Sequence, residues 1–150
     1  MLTAEQKEFL DKCKLAASTS GTAFPTMVAC EAALESAWGK SGLAQEDNNL
    51  FGVKQHLHPE YPTANLPTKE FEKGEWTECI AHWVRYPDWA SCFADRNKTL
   101  TRLAHVYPHY ANALSASTAE NYIREVSKTW STDPHRADKV LDIYHQYVNS

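Results

Sequence analysis

The stretch Pro25-Thr26-Met27-Val28-Ala29-Cys30-Glu31-Ala32-Ala33-Leu34-Glu35-Ser36-Ala37-Trp38-Gly39-Lys40 constrains this chain more than any other. Its punctuation predicts a helix that closes at Gly39. Pro25 suits a first turn, where a missing N–H costs nothing, and Gly39 can take the left-handed conformation that ends a helix. Met27, Cys30, Leu34 and Trp38 recur at helical spacing and predict a buried stripe. Glu35 lies beside Leu34, one turn from Trp38. A carboxyl held against apolar surface favours its protonated form and is thereby prepared to donate a proton near neutral pH. A Glu on an amphipathic helix is more often simply solvated, so the helix alone leaves both readings open.

The remaining elements follow from caps and periods. Thr3-Ala4-Glu5-Gln6 has the form of a capping box, opening a helix whose inner face is Phe9, Leu10, Cys13, Ala16 and Ala17. Ser18 to Thr22 ends it. Residues 39–67 hold Gly39, Gly42, Gly52, Pro59, Pro62 and Pro67 with little periodicity, and predict a long loop with at most a short turn. From Thr68 to Tyr86 the reading is strand, turn and strand, with Gly74 supplying the turn. Asp88 is the expected cap of a helix running through Phe93, Leu100 and Leu103. Val106 to Tyr110 is a break. Ser117-Thr118-Ala119-Glu120 reads as a second capping box before Tyr122, Ile123, Val126 and Trp130. Asp133 and Pro134 are expected to start the last helix, whose stripe is Ala137, Val140, Leu141, Tyr144, Tyr147 and Val148.

At 150 residues the chain is expected to form one domain, 1–150, with a β-lobe at about 68–86. A domain of this length buries roughly 70% of its unfolded surface, so no disulfide or metal staple is required. The net charge of −4, with the 15 basic residues scattered, carries no nucleic-acid footprint. Cys13, Cys30, Cys79 and Cys92 form no CxxC pair, and Cys13 and Cys30 fall on apolar stripes. His56-x-His58 lacks further ligands, and Pro108 separates His105 from His109, so neither a metal nor a cofactor is expected. No run reaches membrane-spanning length. Met1 to Lys7 show no basic segment followed by an apolar run, so the expected origin is cytoplasmic synthesis without a signal peptide. A chain trimmed of its leader reads the same way.

The combination Ala33-Leu34-Glu35-Ser36-x-Trp38-Gly39-Lys40-Ser41 with Asn48-Asn49-Leu50-Phe51-Gly52-Val53-Lys54 resembles glycoside hydrolase family 73, the glucosaminidases that include flagellar and autolysin-type peptidoglycan hydrolases. Thr68-Lys69-Glu70-Phe71, Trp83 to Trp89 and Thr132-Asp133-Pro134-x-x-Ala137-x-Lys139 extend the resemblance over nearly the whole chain. It implies a mainly α, lysozyme-like α+β domain with a small β-hairpin lobe beside a substrate cleft. It also implies cleavage of peptidoglycan glycan strands, with Glu35 as general acid. Glu31, one turn earlier, is outside the family's catalytic position and is expected at the surface or cleft edge.

Glu70, on the lobe, is the second catalytic candidate, as base or charge stabiliser; assistance by the substrate's own N-acetyl group would need it less. Asn48, Asn49, Phe51, Tyr86 and Arg136 are the substrate-binding candidates. The two asparagines either cap local backbone or bind sugar, and Tyr86 either lines the cleft or closes the core. Arg136 stands where many members carry a tyrosine, and an arginine cannot donate a neutral phenolic hydrogen bond. A muramidase, a lytic transglycosylase and a glycan-binding module without catalysis are the competing readings. A wall-directed enzyme with this N-terminus is expected to act in the periplasm or cell wall after delivery by a holin, a virion or a secretion machinery.

Overall fold

The computed structural model describes residues 1–54 and 61–150, and of Glu70 and Glu72 the backbone alone. His56 and His58 lie outside the described residues. Helix α1 (Ala4–Ala17) opens with the expected capping box: Thr3 Oγ1 accepts from Gln6 N–H at 3.0 Å, and Gln6 Oε1 accepts from Thr3 N–H at 2.9 Å. Helix α2 (Pro25–Glu35) is buried at every position from Met27 to Ala33. A helix without a solvated face belongs inside the molecule, and α2 packs between α1 and the last helix, α7 (Arg136–Val148).

Helix α2 stops three residues earlier than its apolar spacing predicts. Ser36 Oγ donates to Ala32 O at 2.6 Å and accepts from Gly39 N–H at 2.9 Å, so one hydroxyl closes the last turn. Ala37, Trp38 and Gly39 then take φ of 51°, 59° and 78°, and the chain reverses directly behind Glu35. At Gly39 a Cβ would fall 2.6 Å from Phe9 Cε2, so the close approach requires glycine as much as the backbone does.

The predicted loop contains one short helix, α3 (Gly42–Asp47), capped by Ser41, and ends its first half with Asn48 in the left-handed region. Strands β1 (Thr63–Glu72) and β2 (Glu75–Val84) pair antiparallel, with Ala64 opposite Trp83 and Glu70 opposite Thr77. The hairpin starts five residues earlier than expected because Pro67 does not interrupt it; in a two-stranded sheet both strands are edges. Lys73 and Gly74 both have positive φ, 50° and 81°, the requirement of a two-residue turn matched to strand twist. Ala64, Ala81 and Val84 bury the base of the lobe, while Phe71, Trp76 and Ile80 stand exposed toward its tip.

Helix α4 (Trp89–Leu103) is capped by Asp88, which accepts from Ser91 N–H at 2.7 Å, as expected. Helix α5 (Pro108–Leu114) starts on Pro108. Helix α6 (Ala119–Trp130) is capped by Thr118 and not by Ser117: Thr118 Oγ1 accepts from Asn121 N–H at 3.1 Å. Asp133 caps a turn before α7 through His135 N–H at 2.9 Å, and the helix itself begins at Arg136. All four cysteines are free.

Candidate active site

Because α2 ends at Glu35, the backbone delivers that residue from the protein interior to its surface in one step. Its side chain keeps 27% of its exposure and lines a cavity of ≈ 580 Å³. Phe51, Trp83, Tyr110 and Trp130 contribute aromatic walls, and Lys54, Thr99, Ser131 and Thr132 contribute polar groups. Lys54 Nζ lies 5.4 Å from the Trp83 ring centroid, tying the loop after α3 to the base of the hairpin. Among the described residues Glu35 is the one carboxylate lining this cavity.

Behind the cavity lies a buried charged cluster. Arg136 donates from Nε to Glu35 Oε1 at 2.9 Å, from Nη2 to Glu31 Oε2 at 2.7 Å, and from Nη1 to Ser127 Oγ at 2.9 Å. Arg96 donates from Nη2 to the same Glu31 oxygen at 2.8 Å. Its guanidinium lies 4.0 Å from the Trp130 ring centroid and 4.6 Å from that of Phe51, a cation–π arrangement beneath two of the cavity's walls. Burial pushes the Glu31 carboxyl upward, but the Arg96 and Arg136 guanidiniums outweigh it and hold Glu31 below the usual carboxylate range. For Arg96, burial acts against the charge, and Glu31 more than restores it.

Glu31 is therefore not at the surface or cleft edge, as its sequence neighbourhood suggests, but fully out of solvent. Positions 31 and 35 are one turn apart and share a face, and a glutamate among Met27, Val28, Cys30, Ala32 and Ala33 must be partnered inside. The partners were also visible: Arg96 falls on the stripe Cys92, Phe93 and Leu100, and Arg136 precedes Val140 by one turn.

Three of the substrate-binding candidates are buried and hydrogen-bonded internally. Arg136 is buried, its fork occupied as above. Asn49 is buried: its Nδ2 donates to Val53 O at 3.0 Å and Val84 O at 2.9 Å, and its Oδ1 accepts from Val53 N–H at 3.0 Å. The amide staples the loop to β2. Tyr86 is buried, donating to Asp95 Oδ2 at 2.5 Å, and burial pushes its phenol well above the ordinary range. Asn48 donates to Tyr86 O at 3.1 Å from a half-buried position. Phe51 is mostly covered but does line the cavity. Position 70 stands opposite Thr77 near the hairpin tip; Thr77 belongs to the alternation that continues through Cys79 and Ala81 to Trp83, at the cavity.

Residues 13–149 match the family described as mannosyl-glycoprotein endo-β-N-acetylglucosaminidase. The chain belongs to the glucosaminidase family. Within it, the peptidoglycan hydrolase FlgJ of Escherichia coli O157:H7 is 31% identical over 154 residues, covering 97% of this chain and 48% of the relative. The chain thus spans about half the length of that relative. The glycoside hydrolase domain of Salmonella typhimurium FlgJ superposes with a TM-score of 0.74 at 28% identity, covering 97% of this chain and 99% of that one. The catalytic domain of the Listeria monocytogenes autolysin Auto gives a TM-score of 0.83 over 99% of this chain and 87% of its own, and at 22% identity that likeness speaks to fold. The fold is the mainly helical, lysozyme-like glucosaminidase fold with a two-stranded sheet, as the sequence predicts. Among the described residues no helix is long and apolar enough to cross a membrane.

Proposed function

We propose that this chain is the catalytic domain, 1–150, of a peptidoglycan hydrolase, an endo-β-N-acetylglucosaminidase that cuts glycan strands with Glu35 as general acid. The observation that carries the reading is the placement of Glu35. It ends the central helix, lines an aromatic-walled cavity, and is held by one oxygen while the other stays unpartnered among the described residues. Aromatic rings beside polar groups suit a sugar, which offers apolar faces and hydroxyl edges. Glu35 protonates the departing glycosidic oxygen as the bond to the anomeric carbon breaks. Glu70, from the lobe, supports the positive charge or activates water. The chain works on the wall side of the membrane, in the periplasm or cell wall, reached through a holin, a virion or a secretion machinery, and requires no metal or cofactor.

A second reading, a muramidase or a lytic transglycosylase, draws on the same cavity: a single described carboxylate suits chemistry that needs one acid. The test has two arms. Glu35→Gln is expected to keep a cooperative melt and to clear purified cell walls on the order of 10²-fold more slowly or worse. Full clearing would remove Glu35 from the chemistry. Borohydride reduction of the wild-type products, read by mass spectrometry, is expected to give reduced N-acetylglucosamine ends; reduced muramic acid or anhydro ends would replace the first reading with the second.

A further inference from the structure

The cluster behind Glu35 is more than packing. Glu31 and Arg96 are already a buried pair of opposite charge, and Arg136 adds a second guanidinium that, among the described residues, shares Glu31 and has one other carboxylate partner. That remaining charged partner is Glu35. With Glu35 protonated the four side chains carry two positive charges and one negative; with Glu35 ionised they are balanced. Charges removed from solvent have to be compensated locally, and Glu35 is the carboxylate placed to compensate Arg136.

Resting on the reading of Glu35 as the acid, we infer that Arg136 is a positioning residue for catalysis: it holds Glu35 by Oε1, leaves Oε2 to carry the proton, and neutralises the carboxylate formed as that proton leaves. The atoms balance simply. The proton passes from Glu35 Oε2 to the glycosidic oxygen, which takes the electron pair of the breaking carbon–oxygen bond. Glu35 becomes a carboxylate already hydrogen-bonded to a guanidinium. An interaction that strengthens as charge develops lowers the barrier without tightening substrate binding. The geometry is particular to arginine. Nε, Nη1 and Nη2 reach Glu35, Ser127 and Glu31 at once, from α7 across to α2 and α6, and a lysine ammonium can neither lie flat nor span the three acceptors. Arg96, pressed under Trp130 and Phe51, fixes Glu31 and so fixes the far end of the bracket.

The experiment is a double-mutant cycle on solubilised glycan strands, with wild type, Arg136→Lys, Glu35→Gln and the double variant. Arg136→Lys is expected to lower kcat by about tenfold or more, with KM within about twofold, in a protein that still melts cooperatively. In the Glu35→Gln background the same change is expected to alter the residual rate by less than about twofold, because a residue acting through Glu35 has nothing left to act on. A folded Arg136→Lys with wild-type kcat would overturn the inference. So would an equal loss in both backgrounds, the signature of a merely structural role. If Arg136→Lys does not fold, Ser127→Ala removes one acceptor and no charge: a fall in kcat at constant KM supports the bracket, and an unchanged kcat overturns it. Full activity of Glu35→Gln alone would instead mark failure of the acid assignment.

Discussion

Arg96 Nη2 and Glu31 Oε2 meet at 2.8 Å with both side chains out of solvent, on helices α4 and α2, 65 positions apart in sequence. The pair, shared with Arg136, joins the central helix to two others at the level of the cavity wall.

Removing the carboxylate charge from this cluster leaves two guanidiniums buried together. Glu31→Gln is therefore expected to lose roughly 3–5 kcal/mol of stability, measured by urea unfolding at neutral pH. The sign of its pH dependence follows from the lowered proton affinity of Glu31 in the folded state. Its stabilisation is fully present above the unfolded carboxylate value of about 4.3 and is lost as pH falls through the still lower folded value. The melting temperature of the wild type should fall below about pH 4 more steeply than that of Glu31→Gln. Parallel acid profiles would show that Glu31 is not the titrating group.

Trp83 sits at the base of the lobe, opposite Ala64, and lines the cavity. On the proposed reading, Trp83→Ala removes an aromatic wall of the cavity and leaves Glu35 in place, so KM should rise by about tenfold while kcat changes little. Steady-state kinetics on solubilised glycan strands check this. A fall in kcat at constant KM would place Trp83 in transition-state stabilisation instead.

Gly39→Ala should be destabilising for two reasons that act together, a φ of 78° and a new methyl 2.6 Å from Phe9. Any yielding of the Phe9 ring disturbs its edge-on contacts with Trp38 and Trp89, whose centroids lie 6.0 Å and 5.4 Å away. The expected cost is about 1–3 kcal/mol, a drop of several degrees in melting temperature. A melting temperature equal to wild type would mean that the reversal after Glu35 relaxes freely.

How much of this was legible in the sequence depended on the range of the interaction. Caps built from neighbouring residues were read correctly where one hydroxyl or carboxylate competes alone, as at Thr3 and Asp88. Adjacent candidates are misassigned, as Ser117 and Thr118 show: Glu120 completes the capping-box pattern with Ser117, yet the hydroxyl that reaches the helix is that of Thr118, on Asn121 N–H. The acid-bearing helix and the hairpin were visible from apolar spacing and from the turn at Gly74. The end of α2 was not: Trp38 keeps helical spacing while sitting at a φ of 59°. The burial of Glu31 is legible on its own helix, but its pairing with Arg96 and Arg136 depends on contacts more than 60 positions away along the chain, which periodicity cannot rank. The internal roles of Asn49 and Tyr86 depend on nearer partners, Val84 at 35 positions and Asp95 at 9, in elements that only the fold brings against them.

The reversal at Ala37, Trp38 and Gly39 makes α2 a ruler with a fixed zero. Glu31 is anchored in the interior and Glu35 must emerge one turn later, so the helix cannot gain or lose a single residue between its buried glutamate and its end. One insertion there would swing the emerging carboxyl by about 100° around the axis, away from both Arg136 and the cavity. Length variation that the surface loops absorb without penalty is closed to this segment, and swapping parts between such enzymes should treat 31–39 as an indivisible unit.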